Sequence, residues 1–448
     1  MQNNQQSELV YELEDKPPLL ESLLAAIQHL LASFVAIVTP TLVIGGTLGL
    51  EAEVPYLISM ALISSGLGTF IQAYQPFGIG AGMICIQGTS FTFLSVILSA
   101  GFFVKDAGGN EDDIMALIVT ICFIGSFVQI GLSQVIPHIK HAVTPLVTGV
   151  VITSLGMSLI KVGVTDLAGG SDAENFGDPI NLLLGLFVIA VIIVMNNVSN
   201  NWVRLSSIVI GLVSGIVAAM LMGQLNISDL STSSVIALPH PLRYGFHFDL
   251  SFFIPLIFLF VITSVETTGD ITANCVVSQQ PIEGPTYIKR VKGGVLGDGV
   301  SSMIAALLNT FPNTTFSQNT GIIQLTGIAS RYIGMYVAII LIFIGLFQGL
   351  GEILQQIPKP VLGGAVLIMF GTVAATGIKI LASLQLDRRQ VMIIAVSLGL
   401  GLGISMVPDV LERSPLIIQN IFNSAPATSG ITAIILSFVL SPSSSEPS

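Results

Sequence analysis

Charged residues are scarce in this sequence of 448 residues. Asp, Glu, Lys and Arg together make up 9% of it, whereas an average soluble domain contains about 25%. Apolar residues make up 52%, and a soluble protein of this length needs far more charge to cover its surface. The composition argues against an ordinary soluble enzyme and a disordered chain, and it indicates that most of the surface faces lipid.

Cysteine and basic residues are also few, and no nucleotide-binding motif is present. The three cysteines, Cys85, Cys122 and Cys275, lie in or beside apolar stretches without metal-ligand spacing, so we interpret them as small buried residues. The 15 Lys and Arg residues are spread along the chain, which argues against nucleic-acid binding. The glycine-rich stretch 293–299 lacks the Lys-Ser/Thr of a P-loop, so we expect no ATP-driven transport within this chain.

Long apolar runs are abundant, and their breaks at charge, Pro and Gly predict fourteen membrane spans. A transmembrane helix needs about 20 mainly apolar residues. The predicted spans are about 22–42, 54–73, 80–100, 114–132, 142–161, 180–197, 205–223, 251–272, 291–310, 316–329, 333–354, 360–382, 390–407 and 416–440. Small polar residues interrupt the third span at 87–91 and the tenth at 317–321. We therefore predict an all-α polytopic membrane protein in which these two segments are short and broken.

Fourteen spans divide into two halves of seven. An odd number of spans in each half inserts the second half upside down relative to the first, so span three corresponds to span ten. Paired broken segments at equivalent places in inverted halves are the best sequence indication of a transporter's binding site, because non-helical backbone at membrane depth needs protein or a cavity around it. The sequence thus predicts a 7+7 inverted repeat with a site at the broken segments.

The distribution of Lys and Arg predicts the orientation in the membrane. With the N-terminus in the cytoplasm, ten basic residues fall on the cytoplasmic side and five outside, in agreement with the positive-inside rule. The ten are Lys16, Lys140, Arg204, Lys289, Arg290, Lys292, Arg331, Lys379, Arg388 and Arg389, and the five are Lys105, Lys161, Arg243, Lys359 and Arg413. We expect both termini in the cytoplasm, no cleavable signal peptide, and a disordered tail over 441–448.

Three acids lie within or at the edge of apolar spans: Glu266, Asp270 and Asp298. A charge at the bilayer centre costs about 2.5–3.5 kcal/mol on insertion scales, so stability alone gives little reason to keep three of them. Glu266 and Asp270 are four residues apart and share one helix face, which we expect to face the bundle interior. The alternative is a structural role, with the carboxyls bonded to backbone or to hydroxyls such as those of Thr267 and Thr268.

Other polar side chains of these spans suit a flat, polar ring. Gln318 and Asn319 offer amide donors and acceptors in a fixed plane. Ser90 adds a hydroxyl, and Phe91 adds a ring face or a free backbone N–H. His29 in the first span either orients a carboxylate, takes part in a proton relay, or is a structural residue with its hydrogen bonds satisfied. The Ser and Thr residues alternatively serve helix packing.

The order of these motifs resembles that of the nucleobase–ascorbate transporter family. Residues 318–327, followed by Ser330-Arg331, match the family signature of Gln-Asn-x-Gly with a Thr five residues after the Gly. Similar motifs are Gln28-His29, Gln87-Gly-Thr-Ser90-Phe91, Glu266-Thr-Thr-Gly-Asp270, Gly-Gly-Val-Leu-Gly-Asp at 293–298 and Pro-Val-Leu-Gly-Gly at 360–364. The resemblance covers about residues 10–440. It is to the bacterial xanthine and uric acid permeases rather than to the uracil branch, which usually has Glu at the position of Gln318.

The resemblance implies proton symport, a homodimer and a bacterial cytoplasmic (inner) membrane location. It also implies a core domain that binds substrate and a gate domain beside it. The implied divisions are a cytoplasmic tail (1–20), core segments 21–135 (spans 1–4) and 246–357 (spans 8–11), gate segments 136–245 (spans 5–7) and 358–440 (spans 12–14), and the tail 441–448. The coupling ion is a proton, and no other cofactor is implied.

Roles for individual polar residues follow from the same resemblance. Glu266 and Gln318 are the main implied ligands of a purine, and Ser317 and Phe91 add contacts through backbone groups. The residues implied to tune affinity and proton coupling are Asp298, Asp270, His29 and Asn319. Ser90 lies at a position linked to the choice between xanthine and urate, and a Ser there leaves that choice open.

Four alternative functions compete with purine symport. A broader purine and pyrimidine nucleobase permease would share these motifs. A channel needs a wide polar lining rather than a compact set of directional groups. An intramembrane enzyme needs a nucleophile–base pair or a metal set, which the sequence does not show. An inorganic anion transporter can have the same 7+7 architecture, but the carboxylate of Glu266 would repel an anion.

Overall fold

The computed structural model describes residues 9–139, 144–170, 173–224, 236–384 and 386–440, and helices dominate it. The helices are α1 (Leu19–Leu48), α2 (Val54–Tyr74), α3 (Leu94–Asp106), α4 (Glu111–Ile139), α5 (Pro145–Leu167), α6 (Pro179–Asn196), α7 (Asn201–Leu205), α8 (Ser207–Leu221), α9 (Leu250–Val277), α10 (Gly284–Leu307), α11 (Gln318–Thr326), α12 (Arg331–Gly345), α13 (Gln348–Gln355), α14 (Lys359–Ala382), α15 (Arg388–Met406), α16 (Leu416–Phe422) and α17 (Ala425–Val439). Two short strands are β1 (Gln87–Thr89) and β2 (Asn313–Thr315). The tail predicted over 441–448 lies outside the described residues.

Eight of these seventeen helices are long and apolar enough to cross a bilayer. Within the described ranges, eight helices have at least 18 residues and little charge, namely α1, α2, α4, α5, α6, α9, α14 and α15. Three shorter apolar helices are α8, α12 and α17. Together with α10 and the two broken segments, they make up the fourteen predicted segments of a multi-pass membrane protein.

Two segments predicted as single spans are each divided into two helices. The prediction over 416–440 is wrong because α16 ends at Phe422 and α17 begins at Ala425. Pro426, in the first turn of α17, has no N–H and fits a helix start rather than a helix interior. The prediction over 333–354 is wrong because Phe347 between α12 and α13 is extended and pairs with Ile236.

The two strands lie side by side in the protein interior as an antiparallel pair. Gln87 is opposite Thr315, Gly88 opposite Thr314 and Thr89 opposite Asn313. All six residues are buried, so protein covers this extended backbone as the bilayer requires. Only Gly fits at position 88, because Phe316 and Ile37 occupy the space that a Cβ would fill. Since the pair is antiparallel, α3 and α11, which follow the strands, run from it in opposite directions.

Packing contacts divide the helices into two bundles. The first bundle consists of α1–α4, α9–α13 and both strands; in it α2 packs on α12, and α10 packs on α4. The second bundle consists of α5–α8 and α14–α17; in it α14 packs on α5 and α6, and α15 packs on α17. The bundles meet where α9 contacts α16 and α17. The paired strands therefore belong to the first bundle.

Candidate binding site at the paired strands

Asp298 is a fully buried carboxylate that accepts hydrogen bonds from several segments. Gln87 and Gln72 donate from Nε2 to its Oδ1 at 2.6 and 2.9 Å. Thr267 Oγ1 donates to Oδ2, and Thr314 Oγ1 lies 3.5 Å from the same oxygen. A carboxylate has about four lone-pair sites, so these donors fill them. Asp298 thus connects α2, β1, α9 and β2, and with three closer donors and the long Thr314 contact it keeps far less capacity for a substrate than a free carboxylate.

Glu266 and Asp270 lie one turn apart on α9 and differ in their hydrogen bonding. Thr315 Oγ1 of β2 donates to Asp270 at 2.9 Å, a normal hydrogen-bond length. The donor that reaches Glu266 is Thr92 Oγ1, at a long 3.4 Å. Asp270 is therefore tied to a strand, whereas Glu266 keeps most of its hydrogen-bonding capacity.

The two threonine hydroxyls next to these acids are engaged elsewhere. Thr267 Oγ1 donates to Asp298, and Thr268 Oγ1 donates to the backbone oxygen of Ser264 at 2.9 Å. The structural alternative therefore holds for Asp298, which Thr267 bonds; neither Thr267 nor Thr268 bonds Glu266 or Asp270, and Asp270 instead accepts from Thr315.

His29 is buried and holds the amide of Asn319. Its Nδ1 lies 2.9 Å from Asn319 Oδ1 and donates to it, since an amide oxygen only accepts. Asn319 Nδ2 donates to Ser33 Oγ at 3.1 Å, and Ser33 Oγ donates to the His29 carbonyl at 2.6 Å. The expectation that His29 orients a carboxylate is wrong, because its partner is a neutral amide that it fixes at the start of α11.

Ser317 and Gln318, at the start of α11, are exposed although they follow directly on the buried strand β2. Exposure continues along the same helix face through Gly321, Gln324 and Leu325, because residues three and four apart are neighbours on a helix. Across the described ranges, no side chain or backbone group bonds the Gln318 amide. An open face thus leads along α11 to a free amide beside the strands.

Ser90 and Phe91 form the link between β1 and α3. The Ser90 hydroxyl accepts from the backbone N–H of Thr92 at 3.3 Å, and its own N–H donates to the Pro312 carbonyl at 2.9 Å. The Phe91 ring is buried and meets the Phe370 ring of α14 edge-on, with centroids 5.3 Å apart. Phe91 therefore lies at the boundary between the two bundles, while Ser90 shapes the turn after β1.

Two hydrogen bonds bring the predicted ligands to one place. The Thr92 contact sets Phe91 beside Glu266. The bond from Thr315 to Asp270 sets the start of α11 against α9, one turn from Glu266. The segments that carry Glu266, Gln318 and Phe91 thus meet at the two broken segments, and a carboxylate, a free amide and an aromatic ring are the kinds of group that can hold a flat molecule with N–H and C=O groups.

Sequence reasoning missed several residues of this arrangement. Gln72 and Gln87 are polar residues in apolar surroundings, a signal that could have marked them as partners of a buried acid. The sequence does not distinguish Thr92 and Thr315 from other threonines, because a hydroxyl in a membrane segment usually serves packing. Phe370 could not be found, since one of 24 phenylalanines carries no indication of its contact.

Comparison with known proteins gives matches over nearly the whole chain. Residues 20–410 match a family described as the Permease family. The chain is 46% identical over 443 residues to a xanthine permease, XanP, of Escherichia coli (strain K12), covering 98% of this chain and 96% of that one. It is 41% identical over 442 residues to xanthine permease XanQ of the same strain, covering 98% and 95%. It also resembles the transmembrane domain of a cyanobacterium bicarbonate transporter, BicA, with a TM-score of 0.59, 15% identity, and coverage of 93% of this chain and 99% of that one, which confirms the 7+7 fold.

Proposed function

The chain belongs to the nucleobase–ascorbate transporter family, and from this premise we propose that it imports xanthine, uric acid or both together with protons. The family match and the two permeases confirm that the chain is a transporter. The observation that carries the choice of substrate is a contrast at the paired strands. Asp298 and Asn319 are hydrogen-bonded to the protein at both of their terminal side-chain atoms, whereas Glu266 and Gln318 have donors or acceptors to spare.

The spare groups match the edge of a purine-dione. Xanthine and uric acid carry N–H and C=O groups around a flat ring. The carboxylate of Glu266 accepts from ring N–H groups, and a hydrogen bond to a charged acceptor is stronger than a neutral one. Gln318 donates from its amide nitrogen to a carbonyl and accepts at its amide oxygen from an N–H. The ring edge of Phe91 and the N–H groups at the start of α11 complete the site.

Transport requires the two bundles to move relative to each other. In our proposal, the first bundle is the core domain that carries the substrate, and the second bundle is the gate domain. Two contacts hold them together beside the site: Phe91 with Phe370, and Ser95 with Ser424, whose hydroxyl oxygens are 3.0 Å apart. Both contacts have to break when the site opens to the other side of the membrane.

One proton enters with each substrate through Glu266 or Asp298. Carrying a negative carboxylate through an occluded state is costly, and a bound proton removes that cost. Loss of the charge on Asp298 would disturb four donors that hold the strands, whereas Glu266 can change its charge with little rearrangement. This difference favours Glu266 as the carboxyl that gains and loses the proton.

The oligomeric state, the membrane and the orientation are proposed from the same family membership. We propose that the protein is a homodimer in a bacterial cytoplasmic membrane, with both termini in the cytoplasm. The exposed face of α11 leads toward the side where α1 begins, which supports a site that opens to the side of the N-terminus.

The experiment that tests the proposal is a competition panel in cells. Uptake of radiolabelled xanthine is measured against unlabelled urate, hypoxanthine, guanine, uracil, ascorbate and sulfate, with and without a protonophore. We expect uptake of labelled xanthine, competition by urate if both are substrates, and loss of accumulation with the protonophore. Competition by uracil as strong as by purines would show a broader permease, sulfate competition would show an anion carrier, and accumulation unchanged by the protonophore would contradict proton coupling.

A further inference from the structure

Residues 9–17, which we call the N-terminal strap, run along the end of α11 and the turn that follows it. The Val10 N–H donates to the Gly327 carbonyl at 2.9 Å. The Tyr11 carbonyl accepts from Ala329 N–H at 2.9 Å, and the Leu13 carbonyl accepts from Arg331 N–H at 3.0 Å. This is a short parallel pairing of backbone, so the strap is fastened where the site helix ends.

Side chains reinforce the same attachment. Ser330 Oγ donates to the Asp15 carbonyl at 2.6 Å, and the Arg331 guanidinium pairs with Glu14 at 3.0 Å. The Tyr11 hydroxyl donates to Glu21 of α1 at 2.7 Å. The strap thereby joins the start of α1 to the junction of α11 and α12.

Leu13 anchors the strap in the protein interior. Its side chain is 5% exposed, whereas that of Val10 in the same segment is 64% exposed. Leu13 packs in a hydrophobic cluster separate from the main one, with Ala81, Met83, Cys85, Ile271, Cys275, Val291 and Val295. These residues come from α9, from α10 and from the segment that leads into β1, so one leucine connects the strap to three segments that border the site.

α11 needs such an attachment because it is short and one of its faces is open. It has nine residues, a length of about 14 Å, and isolated helices of that size are marginal in water. It ends at Gly327 in the left-handed conformation (φ 69°), the residue whose carbonyl the strap binds. A shift of this end moves the whole helix, including Gln318 and Asn319 at the other end.

We propose that the strap is a positioning element for substrate binding, with Leu13 as its positioning residue. It holds the far end of α11 so that Gln318 stays beside Glu266 and Asn319 stays on His29. The proposal deepens the proposed function, since it names what places the amide of the same site, and it rests on that function for the substrate used in the assay.

The test compares truncations of two aliphatic side chains in one segment. Leu13→Ala, Val10→Ala and Leu13→Met are made in the full chain, and KM and maximal xanthine uptake per surface transporter are measured. Misplacement of a binding group by about 1 Å can cost up to about 100-fold, so we expect Leu13→Ala to raise KM about tenfold with a smaller change in maximal rate. We expect Val10→Ala to behave as wild type and Leu13→Met to restore most of the affinity.

A second measurement separates this inference from the choice of substrate. Hydrogen–deuterium exchange of the purified variants reports the backbone amides of α11 without any transported molecule. We expect faster exchange in Leu13→Ala than in Val10→Ala or wild type. A wild-type KM and wild-type exchange in Leu13→Ala would overturn the proposal. So would a loss of uptake that is explained entirely by a smaller amount of transporter at the cell surface. Absence of both xanthine and urate uptake in the wild type would refute the proposed function, while the exchange data would still decide the role of the strap.

Discussion

His29 on α1 donates from Nδ1 to Oδ1 of Asn319 on α11 at 2.9 Å, across 290 residues of sequence. The bond fixes one of two adjacent amides and leaves the other, that of Gln318, free for a ligand. Polar residues of the membrane interior thus divide into those that build the site and those that are available to bind.

Removal of the His29 imidazole should weaken substrate binding, although His29 itself does not contact the substrate. In His29→Leu the buried Asn319 amide loses its donor, and an unsatisfied buried group costs about 1–3 kcal/mol. We expect a KM for xanthine raised about tenfold, with His29→Asn closer to wild type because its amide N–H can donate in place of Nδ1. Uptake kinetics at matched surface expression check this, and equal effects of the two substitutions would contradict it.

Loss of the free amide should reduce affinity directly. Gln318→Ala removes one donor and one acceptor, each worth about 0.5–1.5 kcal/mol, so we expect KM to rise about tenfold or more. The matched control is Gln324→Ala, since Gln324 is also exposed on α11 and lies away from the strands. We expect the control to transport as wild type, and wild-type kinetics in Gln318→Ala would refute the ligand assignment.

Glu266→Gln should uncouple transport from the proton gradient. The variant keeps an acceptor oxygen but can no longer gain and lose a proton, so we expect accumulation to fall at least about tenfold. Exchange of internal for external xanthine should persist at a reduced rate and become insensitive to the pH of the medium. If Glu266→Gln still accumulates xanthine and a protonophore abolishes that accumulation, another group must carry the proton. Asp298 would then be the next candidate.

Substitutions of Asp298, Asp270 and Glu266 should differ in their effect on thermal stability. Hydrogen bonds to a charged acceptor contribute about 1.5–3 kcal/mol each, so Asp298→Asn, which makes these bonds neutral and turns the oxygen facing Thr267 and Thr314 into an N–H donor, should lower the melting temperature in detergent markedly. Asp270→Asn disturbs one normal hydrogen bond, from Thr315, and should lower it less. Glu266→Gln should melt as wild type. Thermal denaturation of the three purified variants gives the order, and a reversed order would contradict it.

A covalent link between the bundles should stop transport reversibly. The hydroxyl oxygens of Ser95 on α3 and Ser424 before α17 are 3.0 Å apart, so cysteines at both positions would lie within reach of a disulfide. We expect oxidation of Ser95→Cys/Ser424→Cys to abolish uptake and reductant to restore it. Each single variant should be unaffected by oxidant, because the native cysteines are buried. Full uptake by the cross-linked form would contradict relative motion of the bundles.

The features that could be predicted from the sequence are those visible within a single segment. Interrupted apolar runs located both broken segments, and carboxyls in apolar surroundings located Glu266, Asp270 and Asp298. Sequence reasoning did not find how these residues pair, because pairing depends on contacts between distant segments. Gln72 and Asp298, for example, are 226 residues apart. The break between α16 and α17 was also missed, since Pro426 was read as part of a continuous apolar run.

The antiparallel pair of β1 and β2 has a consequence for biosynthesis. Gln87 is synthesised 211 residues before its acceptor Asp298, and β2 follows later still. At about 5–20 residues per second, β1 leaves the ribosome about 10–40 s before that partner exists. During this interval its backbone N–H and C=O groups have no strand to pair with, so the nascent first half has to be sheltered from lipid by the insertion machinery or by water. The paired strands therefore form only after the second half has been synthesised, whereas helix contacts within the first half, such as α1 with α2 and α3 with α4, need no later segment.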